Sequence, residues 1–301
     1  MTNQNVTRYC RYVDGGVASY GILDGDTIKQ LDGHYAKGGK PTGKTVQLSD
    51  VKLTLPVDRK DVRKVIGVEY NYDGTGNQPF HAKHPSFYPK FHTSLATDGD
   101  AVELPEEVED PFMGATMVVM IGKGGRNIPL AEAASHVFAV TVGNDVTDGK
   151  GYGRGGGLFS VDRMLGKATD TWQPIGNVFV SGLDYNNLGL VGKLNGQVTQ
   201  DSSTSKMITS VAKQIHYLSH YVTLEPGDLL ITGHPAPAKG LRTIKPGDTM
   251  EVTLEGVGTI TNQVVALKGI PNPWWLEVFK EAAALPENAN DVAAAAGPMQ
   301  G

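Results

Sequence analysis

A single cysteine, Cys10, stands among 301 residues, which excludes an internal disulfide and fits a reducing compartment. No stretch approaches the roughly 18 consecutive apolar residues of a membrane span, and the polar start, Met1 to Asn5, has no apolar signal core. A cytoplasmic location without a membrane partner is therefore expected. Lys and Arg form no cluster, and 27 of them against 32 Asp and Glu leave a net charge of -5. Phosphate backbones need a basic stripe, so no nucleic-acid partner is expected. The glycine-rich run from Gly149 to Gly157 lacks the Gly-Lys-Ser/Thr ending of a phosphate-cradling loop and is not bracketed by a dinucleotide-binding unit. It reads as a lid.

What the chain does have is glycine, 38 in all, which points to many tight turns in a mainly β body with some helix. The β-like pieces Arg8 to Val13 and Ala18 to Leu23 are punctuated by Asp14-Gly15-Gly16 and Asp24-Gly25-Asp26, strong hairpin signals. They predict a small N-terminal β module over residues 1–60, ahead of a main domain over 61–270 and a C-terminal helix and tail over 271–301. In the main domain Met117 to Ile121 and Val137 to Val142 read as strands buried on both faces, joined by a short helix behind Pro129. Asn144-Asp145 follows directly, where a rigid strand spills into loop, a favoured place for chemistry. Asn195-Gly196 marks another hairpin. Thr204 or Ser205 is expected to cap a helix whose Ile208, Val211, Ala212, Ile215 and Leu218 share one face.

Two groups invite a metal reading. His81 and His84 lie three apart near His92, but glycines and prolines argue for scattered loop histidines. Glu103, Glu106, Glu107, Glu109 and Asp110 form an acidic run, which is either a solvated loop or a cation site. His216 and His220 lack the glutamate of a metalloprotease helix.

Several ordered blocks then resemble the fumarylacetoacetate hydrolase (FAH) family: Gly143-Asn-Asp-Val-Thr147, Lys167-Ala-Thr-Asp-Thr-Trp-Gln-Pro174, Asn195 to Ile208, and Tyr221-Val-Thr-Leu-Glu-Pro-Gly-Asp-Leu-Leu-Ile-Thr-Gly-His-Pro-Ala236. Gly21 to Asp26 resembles its leading module, so the similarity runs from residue 7 to about 268. The resemblance implies an FAH-like mixed β-sandwich and β-roll body, a homodimer, and a divalent metal holding a 2-oxo or 1,3-dicarbonyl acid while a C–C bond is cut. The family's Glu-x-Glu metal ligands fall here on Gly114 and Thr116, and a one-residue shift gives Met113 and Ala115, no better. Asp145 is the surviving ligand position. The family's water-activating histidine falls at Thr75 and the arginine after Asn-Asp near Gly149, while His234 stands where Thr is commoner.

These departures predict that no Mg²⁺ or Mn²⁺ is tightly held, since one carboxylate binds a hard cation weakly. The expectation is a hydrolase or lyase of oxo-acid or aromatic catabolism acting by hydrolysis, decarboxylation, dehydration or isomerisation through an altered mechanism. A non-catalytic ligand-binding descendant is the alternative. The candidate catalytic residues are Asp145, Glu69 and His234, with Lys90, Lys167, Tyr72 and Thr204 as contacts for a small anionic substrate. Glu69 pairing with a nearby lysine and His234 capping a turn are the purely structural readings of those two.

Overall fold

The computed structural model describes residues 6–75, 83–106, 108, 110–149, 162–237 and 243–268. It is mainly β, with few helices, and Met1–Ala266 forms one compact unit. The N-terminal hairpins form as their Asp-Gly turns require, giving β1 (Thr7–Asp14), β2 (Val17–Asp24), β3 (Thr27–Leu31), β4 (Pro41–Gln47) and the short β5 (Lys52–Leu53). Then come β6 (Val65–Glu69), β7 (Ser86–Lys90), β8 (Leu95–Thr97), β9 (Val102–Leu104), β10 (Pro111–Phe112) and β11 (Ala115–Ile121). Helix α1 (Leu130–Ala133) leads through a 3-10 turn to β12 (Val137–Asn144) and β13 (Thr147–Asp148). Helix α2 (Asp162–Ala168) precedes β14 (Gln173–Ile175), β15 (Val178–Ser181), and the β16 (Gly189–Leu194) and β17 (Gln197–Ser203) hairpin. Helix α3 (Val211–Ser219), β18 (Leu229–Ile231), β19 (Thr249–Leu254) and β20 (Gly258–Ala266) complete the described elements.

One large sheet runs β4-β3-β2-β1-β15-β12-β11-β18-β6-β7, and a five-stranded sheet runs β17-β16-β19-β20-β9. Every residue of β11 is buried, and strand alternation divides its side chains between two cores. Met117, Val119 and Ile121 join a core that includes Leu190 and Val252 of the second sheet and Ile215 and Leu218 of α3. Val118 and Met120 face the opposite core, with Tyr35, Val57, Ala139 and Phe179. At about 1.5–3 kcal/mol for each fully buried large side chain, this two-sided burial is what fixes the floor strands in place. Cores on both faces of the central strands, one of them shared with a second sheet, give the sandwich expected of the sequence.

Helix α3 begins later than its spacing suggested. Ser210, not Thr204 or Ser205, supplies the cap by accepting from Lys213 N, because Thr204 to Lys206 first make a separate 3-10 turn. The proposed lid beyond Gly149, His81, Glu107, Glu109 and the C-terminal helix and tail lie outside the described residues.

Candidate active site

The ends of β6, β7, β11, β12 and the loop after β18 converge because β11 and β12 pair along their length, β11 pairs with β18, and β18 pairs in parallel with β6. At the end of β12, Asp145 N donates to Gly114 O at 2.8 Å and Gly114 N donates to Asn144 Oδ1 at 2.8 Å. These bonds knit the two strand ends together and turn Asp145 into the protein.

The Asp145 carboxylate is fully buried and receives three side chains. Lys90 Nζ lies 2.9 Å from Oδ1, Lys167 Nζ lies 2.7 Å from Oδ2, and Tyr88 Oη donates to Oδ2 at 2.5 Å. Tyr88 and Lys90 are two apart on β7 and so share a face. Lys167 comes from the last turn of α2 and also donates to Thr147 Oγ1 at 2.7 Å, while Lys90 donates to Trp172 O at 2.8 Å. Burial alone would raise the Asp145 pKa, but the ammoniums of Lys167 and Lys90 outweigh it and hold the carboxyl well below its ordinary range. Burial pulls Lys90 down to about 8 against the attraction of Asp145, with Lys167 pulling the same way as burial. Burial beside Asp145 holds the Tyr88 phenol protonated, well above its usual range.

In front of this cluster is a cavity of about 300 Å³ whose walls include Glu69, Tyr70, Thr75, Thr147, Lys167 and His234, with Val68, Phe112 and Ala236 supplying apolar surface. Glu69 is the last residue of β6 and is buried. Tyr70 follows it with φ of 53°, a left-handed conformation costly for a bulky side chain and commonest where function over-determines the backbone. His234 is half-buried. Burial first, then Lys167, lowers its pKa to about 4 despite the opposing pull of Asp145, so the imidazole is neutral near pH 7. Its Nδ1 lies 3.0 Å from Pro235 O; a carbonyl only accepts, so that nitrogen carries the proton and Nε2 is an acceptor.

The seven residues singled out from sequence thus divide. Glu69, Lys167 and His234 line the cavity; Asp145 and Lys90 stand directly behind Lys167. Tyr72 and Thr204 are buried outside these walls. Tyr72 bridges to Met207, and the Thr204 hydroxyl accepts from Leu188 N at 2.8 Å to close the β16–β17 region. Sequence reasoning missed Tyr88, although its two-residue spacing from Lys90 was the available signal. It also missed Gln200, whose amide accepts from Ala115 N at 2.8 Å and donates to Pro235 O at 2.5 Å, fixing the His234 loop to the end of β11. The helical histidines are anchored locally: His216 Nδ1 on Ile128 O and His220 Nδ1 on His216 O, both at 2.7 Å.

Residues 64–265 match the fumarylacetoacetate hydrolase C-terminal domain. The chain belongs to the fumarylacetoacetate hydrolase family. Residues 7–56 match a second domain, described as Rv2993c-like, N-terminal. Within the FAH family, the chain is 32% identical over 270 residues to Protein Rv2993c of Mycobacterium tuberculosis, covering 85% of this chain and 96% of that protein. It is 34% identical over 226 residues to the mitochondrial oxaloacetate tautomerase Fahd2a of Rattus norvegicus, covering 72% and 70% respectively. Among solved structures, the 5-carboxymethyl-2-hydroxymuconate delta-isomerase of Mycobacterium smegmatis is similar with a TM-score of 0.75 at 29% identity, over 86% of this chain and 99% of that one. No helix among the described residues is long and apolar enough to cross a membrane.

The family resemblance implies a divalent metal, and the described residues do not fit one. Asp145 Oδ2 accepts from Lys167 and Tyr88, and Oδ1, which accepts no hydrogen bond among the described residues, lies 2.9 Å from the Lys90 ammonium, whose charge disfavours a cation there. Gly114 offers no ligand, and the Thr116 hydroxyl donates to Gly233 O at 2.7 Å. Among the described residues no group of three His, Cys, Asp or Glu side chains is placed to hold a metal ion.

Proposed function

We propose that this FAH-family protein is an isomerase or tautomerase of a small 2-oxo acid, catalysing a proton shift between the carbon beside the carbonyl and the carbonyl oxygen. The observation that carries this reading is the single cavity wall shared by a buried carboxylate, Glu69, and an ammonium, Lys167. A keto-enol shift needs those two groups: a base for the C–H proton and a cation for the oxygen that gains charge. Lys167, held by Asp145 and Thr147, binds the substrate carboxylate and stabilises the enolate oxygen. Glu69 takes the carbon-bound proton and returns one to oxygen, so the reaction consumes no water and leaves the enzyme unchanged. Neutral His234 accepts a hydrogen bond from the enol hydroxyl through Nε2. Asp145 is a positioning residue: its proton affinity is too low for a base, and it stands behind Lys167 rather than on the cavity wall.

Hydrolysis is a poorer match. It requires an activated water, and the position implied for the water-activating histidine is Thr75, whose hydroxyl donates to Tyr72 O. The names of the relatives, an oxaloacetate tautomerase and a delta-isomerase, support the same choice. The test follows the decay of the enol absorbance of oxaloacetate with the wild type, Lys167→Met and Glu69→Gln. Acceleration by the wild type that is lost in both variants supports the proposal. A wild-type protein that binds oxaloacetate without accelerating its tautomerisation is a binding descendant instead.

A further inference from the structure

Two glycines at this site are occupied by neighbouring rings. A Cβ on Gly67 would overlap the Tyr88 ring, so glycine there is what lets the phenol lie across β6 and reach Asp145. A Cβ on Gly114 would meet His234 Cδ2 at 2.6 Å and Asp145 O at 2.7 Å. The imidazole therefore fills the space into which a longer side chain at 114 would have to extend. Real Cβ atoms do not approach others this closely, so any side chain at 114 needs both the His234 ring and the Asp145 backbone carbonyl to shift. The Thr116 hydroxyl is spent on Gly233 O. Gln200 holds Pro235, and with it His234, against Ala115.

The departures at 114, 116 and 234 thus belong to one arrangement with Tyr88, since each ring sits where a glycine makes room and both rings close around Asp145. Asp145 in turn receives two ammoniums within 2.9 Å. We propose that this cluster is a resident cationic centre in which the Lys167 ammonium, backed by Asp145, Lys90 and Tyr88, carries the positive charge toward the ligand, and that no divalent ion takes part. The inference rests on the tautomerase reading only in taking a small oxo-acid anion as ligand. Lys167 reaches the cavity, whereas Lys90 and Tyr88 stay behind it. The ligand anion consequently meets an N–H donor whose position is fixed by the protein and does not depend on the supply of metal.

The test uses the full chain stripped with EDTA, with oxalate, a planar mimic of the enolate, as the anion and Mn²⁺ alone as the metal. Calorimetry should give the same oxalate affinity with EDTA present and with Mn²⁺ added, and Mn²⁺ should show no stoichiometric binding by electron paramagnetic resonance. Lys167→Met should weaken oxalate binding on the order of 10- to 150-fold. Stoichiometric Mn²⁺ on the wild type that disappears in Asp145→Asn would overturn the proposal, as would oxalate binding that requires Mn²⁺. Metal-free oxalate binding without oxaloacetate turnover would instead refute the tautomerase reading and leave the cationic centre standing. Mn²⁺-dependent turnover would do the reverse.

Discussion

Two lysine-carboxylate clusters in this fold have opposite compositions. At the turn from Glu225 to Asp228, one lysine serves two carboxylates: Lys64 Nζ lies 2.6 Å from Glu225 and 2.9 Å from Asp228. At the candidate site, two lysines serve one carboxylate, Asp145. Burial raises the pKa of both aspartates, and the partners decide the outcome. For Asp228, burial wins over Lys64, with Glu225 adding to the rise; for Asp145, two ammoniums reverse it. The remaining polar atoms differ as well. Asp228 accepts from Glu225 N at 2.7 Å and Lys64 N at 3.2 Å, so it fastens a turn. Asp145 accepts from side chains, one of which is exposed to a cavity. The same residue types are structural where their bonds end on backbone, and available for chemistry where one member of the cluster faces a cavity.

The largest way to break this contrast is Asp145→Asn. It leaves two ammoniums buried around a neutral amide, and removing one partner of a buried ionic cluster costs about 3–5 kcal/mol. Denaturant unfolding should show that loss, together with weaker oxalate binding and a lower tautomerisation rate, because Lys167 loses its anchor. Next comes Lys167→Met, which keeps the Lys90–Asp145 pair. It should cost about 1.5–3 kcal/mol of anion binding, read by calorimetry, with a smaller change in folding stability than Asp145→Asn.

Acid titration sharpens the comparison further. The folded Asp145 pKa is depressed, so its contribution to stability is full above the ordinary 3.8 and is lost as pH falls through the folded value. The folded Asp228 pKa is raised, so the penalty for holding it ionised is full above the folded value and is relieved as pH falls through it. Carboxyl-resolved NMR from pH 6 downward should show Asp228 protonating above 3.8 and Asp145 staying ionised for as long as the fold persists. The smallest effect is expected for Lys64→Met, because Lys64 and Glu225 are partly exposed and the buried Asp228 keeps its bonds from Glu225 N and Lys64 N. Turnover should be unchanged; an activity loss comparable to that of Lys167→Met would dissolve the distinction between the clusters.

Much of this was legible in the sequence because it rests on local signals. Unbroken apolar runs gave β11 and β12, Asp-Gly and Asn-Gly turns gave the hairpins, and the strand-to-loop junction gave Asp145. The FAH blocks brought Lys90 and Lys167 into the same neighbourhood. What sequence could not provide was which side of a wall each group occupies. Asp145 reads as a base until its partners are seen, and then it is the residue that holds an ammonium in place. Tyr72 and Thr204 read as substrate contacts, yet both serve chain crossings whose partners, Met207 and Leu188, no local pattern marks. Tyr88 was hidden for a related reason: its reach to Asp145 depends on a missing side chain at Gly67, on a neighbouring strand.

The Asp145 cluster also bears on how the chain must fold. Tyr88 is 57 residues from Asp145 and Lys167 is 22 residues away on the other side, and the parallel β18–β6 pairing joins segments still farther apart. No local stretch can satisfy these charges, so β7 and α2 must shed the water around their ammoniums in the step that docks them on β12. Loops must close before that docking is rewarded, which slows folding. The bottleneck should therefore respond to ionic strength as well as to denaturant, with refolding slowing in salt as the attraction that guides both lysines to Asp145 is screened.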